Sequence, residues 1–196
     1  MKVYLARHGE TEWSLSKQHT GRTDIPLTDN GHRQAEALRR LFADRPVEKA
    51  YTSPLSRSVE TARLAGFEHA ERRDELLEFD YGEYEGATTA QIRAERPDWY
   101  LWRDGCPGGE TPAEVAERVG RLIDELCEGG VDAALFGHGH VLRALAARWL
   151  GLAPEGGGLF ALETATLSSL GYEREVPVMW GWNQRWEGSG LPQNGD

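Results

Sequence analysis

Two histidines in this chain of 196 residues follow short apolar segments and have neighbours suited to phosphate chemistry. The first is His8, which stands between Arg7 and Gly9 after the segment 3–6. Neutral imidazole is a good nucleophile at about pH 7, an arginine can hold phosphate oxygens by bidentate hydrogen bonds, and a glycine lets the chain turn closely around a ligand. The pattern suggests a nucleophile beside a cationic clamp, although a strand that ends in two solvated polar residues would have the same sequence.

The second histidine is His138, in the segment Gly137-His138-Gly139-His140 after the apolar run 131–136. Taken alone, His138 could equally be a core histidine or a helix cap. His138 and His140 also have the spacing of a metal-binding pair, but no nearby aspartate or glutamate completes a convincing ligand set. We therefore expect no metal site and no cofactor.

Predicted strands and helices alternate around these histidines. Apolar runs predict strands at 3–6, 48–52 and 131–136, with two late strands inside 159–172. Helices are predicted at 28–42 with Thr28 as cap, at 54–65 with Pro54 in the first turn, and at 141–150. Another helix begins at the capping box Thr111-Pro112-Ala113-Glu114 and ends at Gly129-Gly130. Such alternation predicts an α/β fold with a mainly parallel sheet, which binds ligands beyond the carboxyl ends of its strands. Both histidines would then lie at the same edge of the sheet.

Composition excludes several classes of protein. The chain has 22 Lys and Arg against 32 Asp and Glu, a formal net charge of −10, whereas binders of nucleic acid or anionic membranes need a basic surface. No apolar run approaches the roughly 20 residues of a membrane span, and the N-terminal segment lacks a signal-peptide cleavage site. The two cysteines, Cys106 and Cys127, suggest neither a disulfide framework nor a metal cluster, so we expect a cytoplasmic location.

Motifs spread over residues 7–143 resemble the histidine phosphatase superfamily, the phosphoglycerate-mutase-like group of two-histidine phosphatases. The motifs are Arg7-His8-Gly9-Glu10-Thr11-Glu12-Trp13, Thr20-Gly21-Arg22-Thr23-Asp24-Ile25-Pro26-Leu27-Thr28 with Gly31, Thr52-Ser53-Pro54-Leu55-Ser56-Arg57-Ser58 with Glu60-Thr61-Ala62, Glu78-Phe79-Asp80-Tyr81-Gly82-Glu83-Tyr84-Glu85-Gly86, Gly108-Gly109-Glu110-Thr111 and Gly137-His138-Gly139. They occur in the order of the family, and together they are far more specific than any one of them.

The resemblance implies roles for individual residues. His8 matches the histidine that accepts phosphate, and Arg7, Arg57 and His138 match the residues around the transferring phosphoryl group. That group carries charge on three equatorial oxygens, so several fixed donors are needed, which the arginines and a protonated His138 could supply. Glu78 lies where family members place the proton donor. Held partly protonated by burial and by the incoming phosphate charge, it could protonate the leaving alkoxide.

The same resemblance implies substrate-binding residues on the first loop and near the acid. These residues are Ser14, Thr20, Gly21, Tyr81 and Gly139. Ser14 and Thr20 stand where many members carry Asn and Gln. With Asp80-Tyr81-Gly82, they resemble a branch that contains broad acid phosphatases and sugar-bisphosphate phosphatases. Glu83 is an alternative acid.

We therefore expect a phosphoric monoester hydrolase with a three-layer α/β/α sandwich, acting on small phosphorylated metabolites through a phosphohistidine on His8. Residues 1–187 would form a single histidine phosphatase domain, in which 88–109 form a cap over the pocket, and 188–196 a loose tail. We expect no nucleic-acid or membrane partner. One alternative is a phosphoglycerate mutase of the same superfamily, which the compact chain and Glu85-Gly86 in place of Gln-Gly disfavour. The other is a non-catalytic phosphate-binding protein.

Overall fold

A computed structural model describes residues 1–186 of the chain. Its strands are β1 (Lys2–Arg7), β2 (Lys49–Thr52), β3 (Glu71–Arg72), β4 (Ala133–Gly137), β5 (Leu167–Glu173) and β6 (Val176–Gln184). Its α-helices are α1 (Glu12–Leu15), α2 (Asp29–Phe42), α3 (Ser56–Leu64), α4 (Thr89–Glu95), α5 (Leu101–Asp104), α6 (Pro112–Gly129) and α7 (Gly139–Trp149). The strands form one sheet in the order β3-β2-β4-β1-β5-β6.

Four neighbouring strands of this sheet are parallel. β1 pairs with β4 so that Arg7 lies opposite Gly137, and β2 pairs in parallel with both β4 and β3. β5 and β6 extend the sheet beyond β1 as antiparallel strands. The predicted α/β/α sandwich with a mainly parallel sheet is confirmed. Because β1 and β4 end at the same edge, the residues that follow them meet there.

The two faces of the sheet pack against different helices. Alternate residues of a strand point to opposite faces, so Val3 and Leu5 of β1 pack in the core that contains α6 and α7. Tyr4 and Ala6 pack in the core that contains α2 and α3. Burial of a side chain the size of Val or Leu contributes about 1.5–3 kcal/mol, so both layers hold β1 in place.

The predicted signals at the ends of α6 are confirmed. The Thr111 hydroxyl accepts from the Glu114 N–H, and the Glu114 carboxylate accepts from the Thr111 N–H at 2.8 Å. Pro112 is the first helical residue, and Gly130 ends the helix with a φ of 65°, a backbone conformation that favours glycine.

Several predicted element boundaries differ from those of the structure, among them the bounds of the late strands and the start of α3. The late strands are β5 and β6, and 160–166 contains no strand because its backbone binds the end of β1. The Leu162 carbonyl accepts from Arg7 Nη1, and the Ala165 N–H donates to the Arg7 and His8 carbonyls. α3 begins at Ser56 rather than Pro54, because the carboxylate of Asp24 accepts from the Ser56 N–H and hydroxyl.

The predicted tail at 188–196 lies outside the described residues. Among the helices of residues 1–186, none has the length and apolar character needed to cross a membrane.

Candidate active site

His8 and His138 meet just beyond the carboxyl ends of β1 and β4. The His8 N–H donates to the Gly137 carbonyl at 2.9 Å, which continues the strand pairing one residue further. The two ring centroids are 5.1 Å apart, and the residues are 5% and 0% exposed. The structure thus brings together the two histidines that the sequence singled out.

His8 presents an uncharged nitrogen to the site. Its Nδ1 lies 2.7 Å from the Gly9 carbonyl oxygen, which can only accept, so Nδ1 carries the ring proton. Nε2 keeps its lone pair and has no hydrogen-bond partner within residues 1–186, and it is not a buried atom. Burial, with Arg57 and Arg7 nearby, lowers the pKa of His8 well below its usual 6.5. The ring is therefore neutral, as nucleophilic attack requires.

His138 is also neutral. Arg57 Nε donates to His138 Nδ1 at 3.1 Å, and His138 Nε2 donates to the Ser53 hydroxyl oxygen at 2.8 Å. An arginine N–H cannot accept, so Nδ1 carries no proton. Burial, followed by the charge of Arg57, lowers the pKa of His138 well below 6.5. The expectation of a protonated His138 is wrong here, because a second proton would lie against Arg57 Nε.

Arg57 is fully buried and holds the first loop around the histidines. Its Nη1 donates to the Thr23 carbonyl at 2.9 Å, and its Nη2 to the carbonyls of Thr20 at 3.2 Å and Gly21 at 3.0 Å. With the bond to His138, four of its five N–H groups have partners among the described residues. Arg57 therefore supplies a fixed positive charge, with one Nη1 hydrogen left for a ligand.

Arg7, the last residue of β1, places a second positive charge near the histidines. Its Nη1 donates to the Leu162 carbonyl at 2.5 Å. Its guanidinium packs on Gly139, where an added Cβ would lie 3.3 Å from Arg7 Cζ. Arg7 Nε is buried with no hydrogen-bond partner in the described part of the chain. Such an orphaned donor is costly unless the site uses it, which fits a site for anions.

Glu78 is 4% exposed and is held at the first turn of α7. Its Oε1 accepts from the N–H groups of Phe79 at 3.0 Å and Val141 at 2.8 Å, and its Oε2 from that of His140 at 2.9 Å. Arg118 of α6 fixes the backbone by donating to the Glu78 carbonyl at 3.2 Å. All three side-chain contacts are N–H donors, which complement a carboxylate. That Glu78 serves as the proton donor stays a prediction.

The turn after His8 lies directly on the start of α2. A Cβ added to Gly9 would lie 2.4 Å from the Gly31 carbonyl oxygen, and one added to Gly31 would lie 2.2 Å from that of Glu10. The Glu10 carboxylate accepts from the Thr28 hydroxyl at 2.7 Å and from the Asn30 amide at 2.9 Å. Two glycines thus let the segment after His8 and the start of α2 touch through their backbones.

Three of the predicted substrate-binding residues lie on or near the first loop. Thr20 and Gly21 present their carbonyls to Arg57, and a Cβ at Gly21 would lie 2.5 Å from the Phe79 carbonyl oxygen. Ser14 instead caps α1: its hydroxyl donates to the Thr11 carbonyl at 2.8 Å and accepts from the Thr11 N–H at 2.9 Å. The loop residues border the site through their backbone, and the Ser14 hydroxyl is occupied within its own helix cap.

The remaining two predicted substrate-binding residues contact side chains of the site: Gly139 supports Arg7, and Tyr81 is hydrogen-bonded to His140. Tyr81 is 1% exposed, and its hydroxyl lies 2.6 Å from His140 Nδ1. His138 and His140 have the spacing of a metal-binding pair. In the structure, however, Nδ1 of His138 already accepts from Arg57, and Nδ1 of His140 is hydrogen-bonded to Tyr81. Residues 1–186 contain no group of three or more His, Cys, Asp or Glu side chains that could hold a metal ion.

Sequence reasoning missed His19 and undervalued Glu85. The Glu85 carboxylate accepts from the N–H groups of Gly21 at 2.9 Å and Thr23 at 3.1 Å, so it holds the loop that Arg57 also binds. The His19 ring lies 4.7 Å from that of Tyr81, and burial lowers the pKa of His19 to about 4. The one available signal was that His19 directly precedes the Thr20-Gly21 motif. Glu83, the alternative acid, is exposed.

The predicted cap at 88–109 packs against the segment that carries Glu78. Trp102 is 2% exposed, with its ring 5.6 Å from that of Phe79 and 5.7 Å from that of His140. Trp99 is 1% exposed, and its ring centroid lies 5.6 Å from that of His19. Both tryptophans anchor this segment beside the site. That it covers a bound substrate stays a prediction.

Comparisons of this chain with protein families, curated proteins and solved structures indicate the same family. The model of the histidine phosphatase superfamily (branch 1) matches residues 3–185. An acid phosphatase of Mycobacterium tuberculosis is 40% identical over 89% of this chain and 88% of its own length. A sedoheptulose 1,7-bisphosphatase of Saccharomyces cerevisiae is 38% identical over 77% of this chain and 68% of that protein. A solved structure of an open reading frame from Mycobacterium tuberculosis has a TM-score of 0.91 at 38% identity, covering 94% of this chain and 97% of that one.

The relatives also bear on the choice between hydrolase and mutase. Two relatives named as phosphoglycerate mutases are less similar, at 30% and 33% identity, so the mutase alternative is less supported. The predicted enzyme class, a phosphoric monoester hydrolase, is confirmed. With a family model that matches almost all of the described residues, the chain belongs to branch 1 of the histidine phosphatase superfamily.

Proposed function

We propose that this protein hydrolyses small phosphate monoesters in two steps, without a metal, through a phosphohistidine on His8. The observation that carries the proposal is the tautomer of His8. Its Nδ1–H is bound to the Gly9 carbonyl at 2.7 Å, which leaves the Nε2 lone pair available in a neutral ring. Arg7 and Arg57 place fixed positive charge around that ring, where the three phosphoryl oxygens would lie.

In the first step, His8 Nε2 attacks phosphorus, and the bond from phosphorus to the ester oxygen breaks. The ring gains positive charge, which the hydrogen bond from Nδ1 to the Gly9 carbonyl stabilises. The proton of a protonated Glu78 passes to the leaving oxygen, so the product is a neutral alcohol. The buried position of Glu78 at the first turn of α7 supports this assignment.

In the second step, water attacks the phosphohistidine. The Glu78 carboxylate takes the proton of that water, the bond between phosphorus and Nε2 breaks, and the electron pair returns to the ring. Inorganic phosphate leaves, and both His8 and Glu78 regain their starting protonation states. Neutral His138 keeps Arg57 in place by accepting from its Nε, while its own Nε2–H is bound to the Ser53 hydroxyl.

The substrates we propose are sugar phosphates or three-carbon acid phosphates. The net charge of −10 repels polyanionic polymers, while the arginines attract a small phosphate locally. Relatives named as an acid phosphatase and a sedoheptulose 1,7-bisphosphatase support this class. The proposal also includes the cap at 88–109 and a cytoplasmic location, for which the free thiols of Cys106 and Cys127 give support.

The test is detection of the adduct. Enzyme mixed with substrate is quenched in base, in which phosphohistidine survives, and mass spectrometry should place phosphate on His8. His8→Ala should abolish the adduct and phosphate release, whereas His69→Ala, at an exposed histidine, should change neither. Normal turnover by His8→Ala would refute the proposal, and so would phosphate binding without any release by the wild type.

A further inference from the structure

His140 lies on the first turn of α7, and the steps proposed above make no use of its side chain. Its backbone N–H donates to Glu78 Oε2 at 2.9 Å, and its ring Nδ1 lies 3.9 Å from the same oxygen. The ring therefore lies beside the carboxyl group that serves the leaving oxygen.

The position of the ring proton follows from Tyr81. Burial raises the pKa of Tyr81 well above 10, so the phenol keeps its proton, and its oxygen lies 2.6 Å from His140 Nδ1. Burial and the charge of Arg143 lower the pKa of His140 well below 6.5, so the ring carries one proton. If that proton were on Nδ1, the Tyr81 hydroxyl would have no acceptor among the described residues. A buried unsatisfied hydroxyl is costly, so Tyr81 donates to Nδ1 and Nε2 carries the proton.

The Nε2–H group of His140 is left as an available donor. It has no hydrogen-bond partner within residues 1–186, and the side chain is 23% exposed. The ring is also held in place: its centroid lies 6.1 Å from that of Phe79, 5.9 Å from that of Tyr81 and 5.7 Å from that of Trp102. A donor fixed in this way loses little freedom when it binds a ligand.

We propose that His140 is a further substrate-contacting residue, whose Nε2–H donates a hydrogen bond to a leaving-group oxygen next to the ester oxygen. Because this nitrogen can donate but not accept, it selects leaving groups with a hydroxyl or carboxylate oxygen near the ester, as in polyols, sugars and hydroxy acids. Tyr81 is a positioning residue that fixes the tautomer. The inference rests on the proposed function, since it concerns the leaving group of that reaction.

A matched pair of esters provides the test. Glycerol 3-phosphate and propyl phosphate both release a three-carbon primary alcohol and differ in two hydroxyl groups. The wild type should favour glycerol 3-phosphate by about tenfold in kcat/KM, as one good hydrogen bond gives. His140→Leu should remove that preference by lowering kcat/KM for glycerol 3-phosphate about tenfold more than for propyl phosphate. His140→Gln, whose amide N–H reaches a similar position, should restore part of it, and Tyr81→Phe should weaken it because the ring proton can then move to Nδ1.

Three outcomes would overturn the inference. The wild type could show no preference between the two esters, a result that needs no variant to fold. His140→Leu could lower kcat/KM equally for both, as a purely structural residue would, or it could leave the preference unchanged. Formation of the His8 adduct by the wild type reports on the proposed function separately, so an enzyme that forms the adduct without a His140-dependent preference refutes only the inference.

Discussion

Replacement of Glu78 by glutamine keeps the shape of the side chain but removes its ability to act as an acid. Glu78 Oε1 accepts two N–H groups and Oε2 accepts one, so the glutamine oxygen should take the place of Oε1. The amide NH₂ then faces the His140 N–H, and one hydrogen bond to a charged acceptor is lost. That loss should lower the free energy of unfolding by about 1.5–3 kcal/mol.

The effect of Glu78→Gln on the rate should depend on the leaving group. General acid catalysis gives about 10²–10⁴ in rate, and an alkoxide needs the proton far more than p-nitrophenolate does. We expect a loss in that range for glycerol 3-phosphate and a much smaller loss in the phosphorylation step with p-nitrophenyl phosphate. Hydrolysis of the adduct should also slow, so burst kinetics are required to separate the two steps.

The controls for this prediction are the neighbouring carboxylates. Glu83→Gln changes an exposed residue, and Glu85→Gln changes the residue that holds the first loop. Neither should show dependence on the leaving group. If Glu83→Gln shows it and Glu78→Gln does not, the assignment of the acid is wrong, although the phosphohistidine mechanism would stand.

Three further predictions concern charge, metal and pH. Arg57→Ala should lower kcat by about 10²–10³ and also lower the melting temperature, because it releases three loop carbonyls; a kcat within about tenfold of wild type would contradict this. EDTA should leave turnover unchanged, and a loss restored by added Mg²⁺ or Zn²⁺ would show that a metal takes part. Four histidines have a pKa in the folded protein that lies below the unfolded value of about 6.5. The unfolded chain therefore binds more protons below that pH, and the free energy of unfolding should fall as the pH drops from about 6.5 toward about 4. Urea unfolding at several pH values measures this fall, which should reach at most about 1.4 kcal/mol per pH unit for each histidine, and constant stability over that interval would contradict it. The four are His8, His19, His138 and His140.

The sequence predicts those features of the fold and the site that a few neighbouring residues determine by themselves. The capping box at Thr111 needs only four neighbouring residues, and the strand ends before His8 and His138 follow from short apolar runs. Contacts between distant segments leave no such local pattern. The carboxylate that starts α3 comes from Asp24, 32 residues before Ser56.

The late strands and the charge of His138 show the same limit. Asn183 in β6 has a φ of 56°, and the pairing of β6 with β5 contains register shifts. These irregularities interrupt the alternation of side chains between the two faces of the sheet. The sequence of β6 therefore lacks the usual pattern of a strand. The neutral state of His138 depends on Arg57 Nε, which comes from a helix 81 residues away in the chain. Chemistry set by such contacts requires the folded structure.

The position of β1 in the sheet has a consequence for the order in which the site can form during synthesis. β1 leads directly into His8 and is made before both of its neighbours, β4 and β5, which come from residues after 132. β1 therefore has no strand partner until residues beyond 132 have been made, and pairings of such long range form slowly. A nascent chain that already contains Arg7 and His8 has neither Glu78 in place nor His138 beside it. The site around His8 is therefore completed only when β4 and β5 pair with β1.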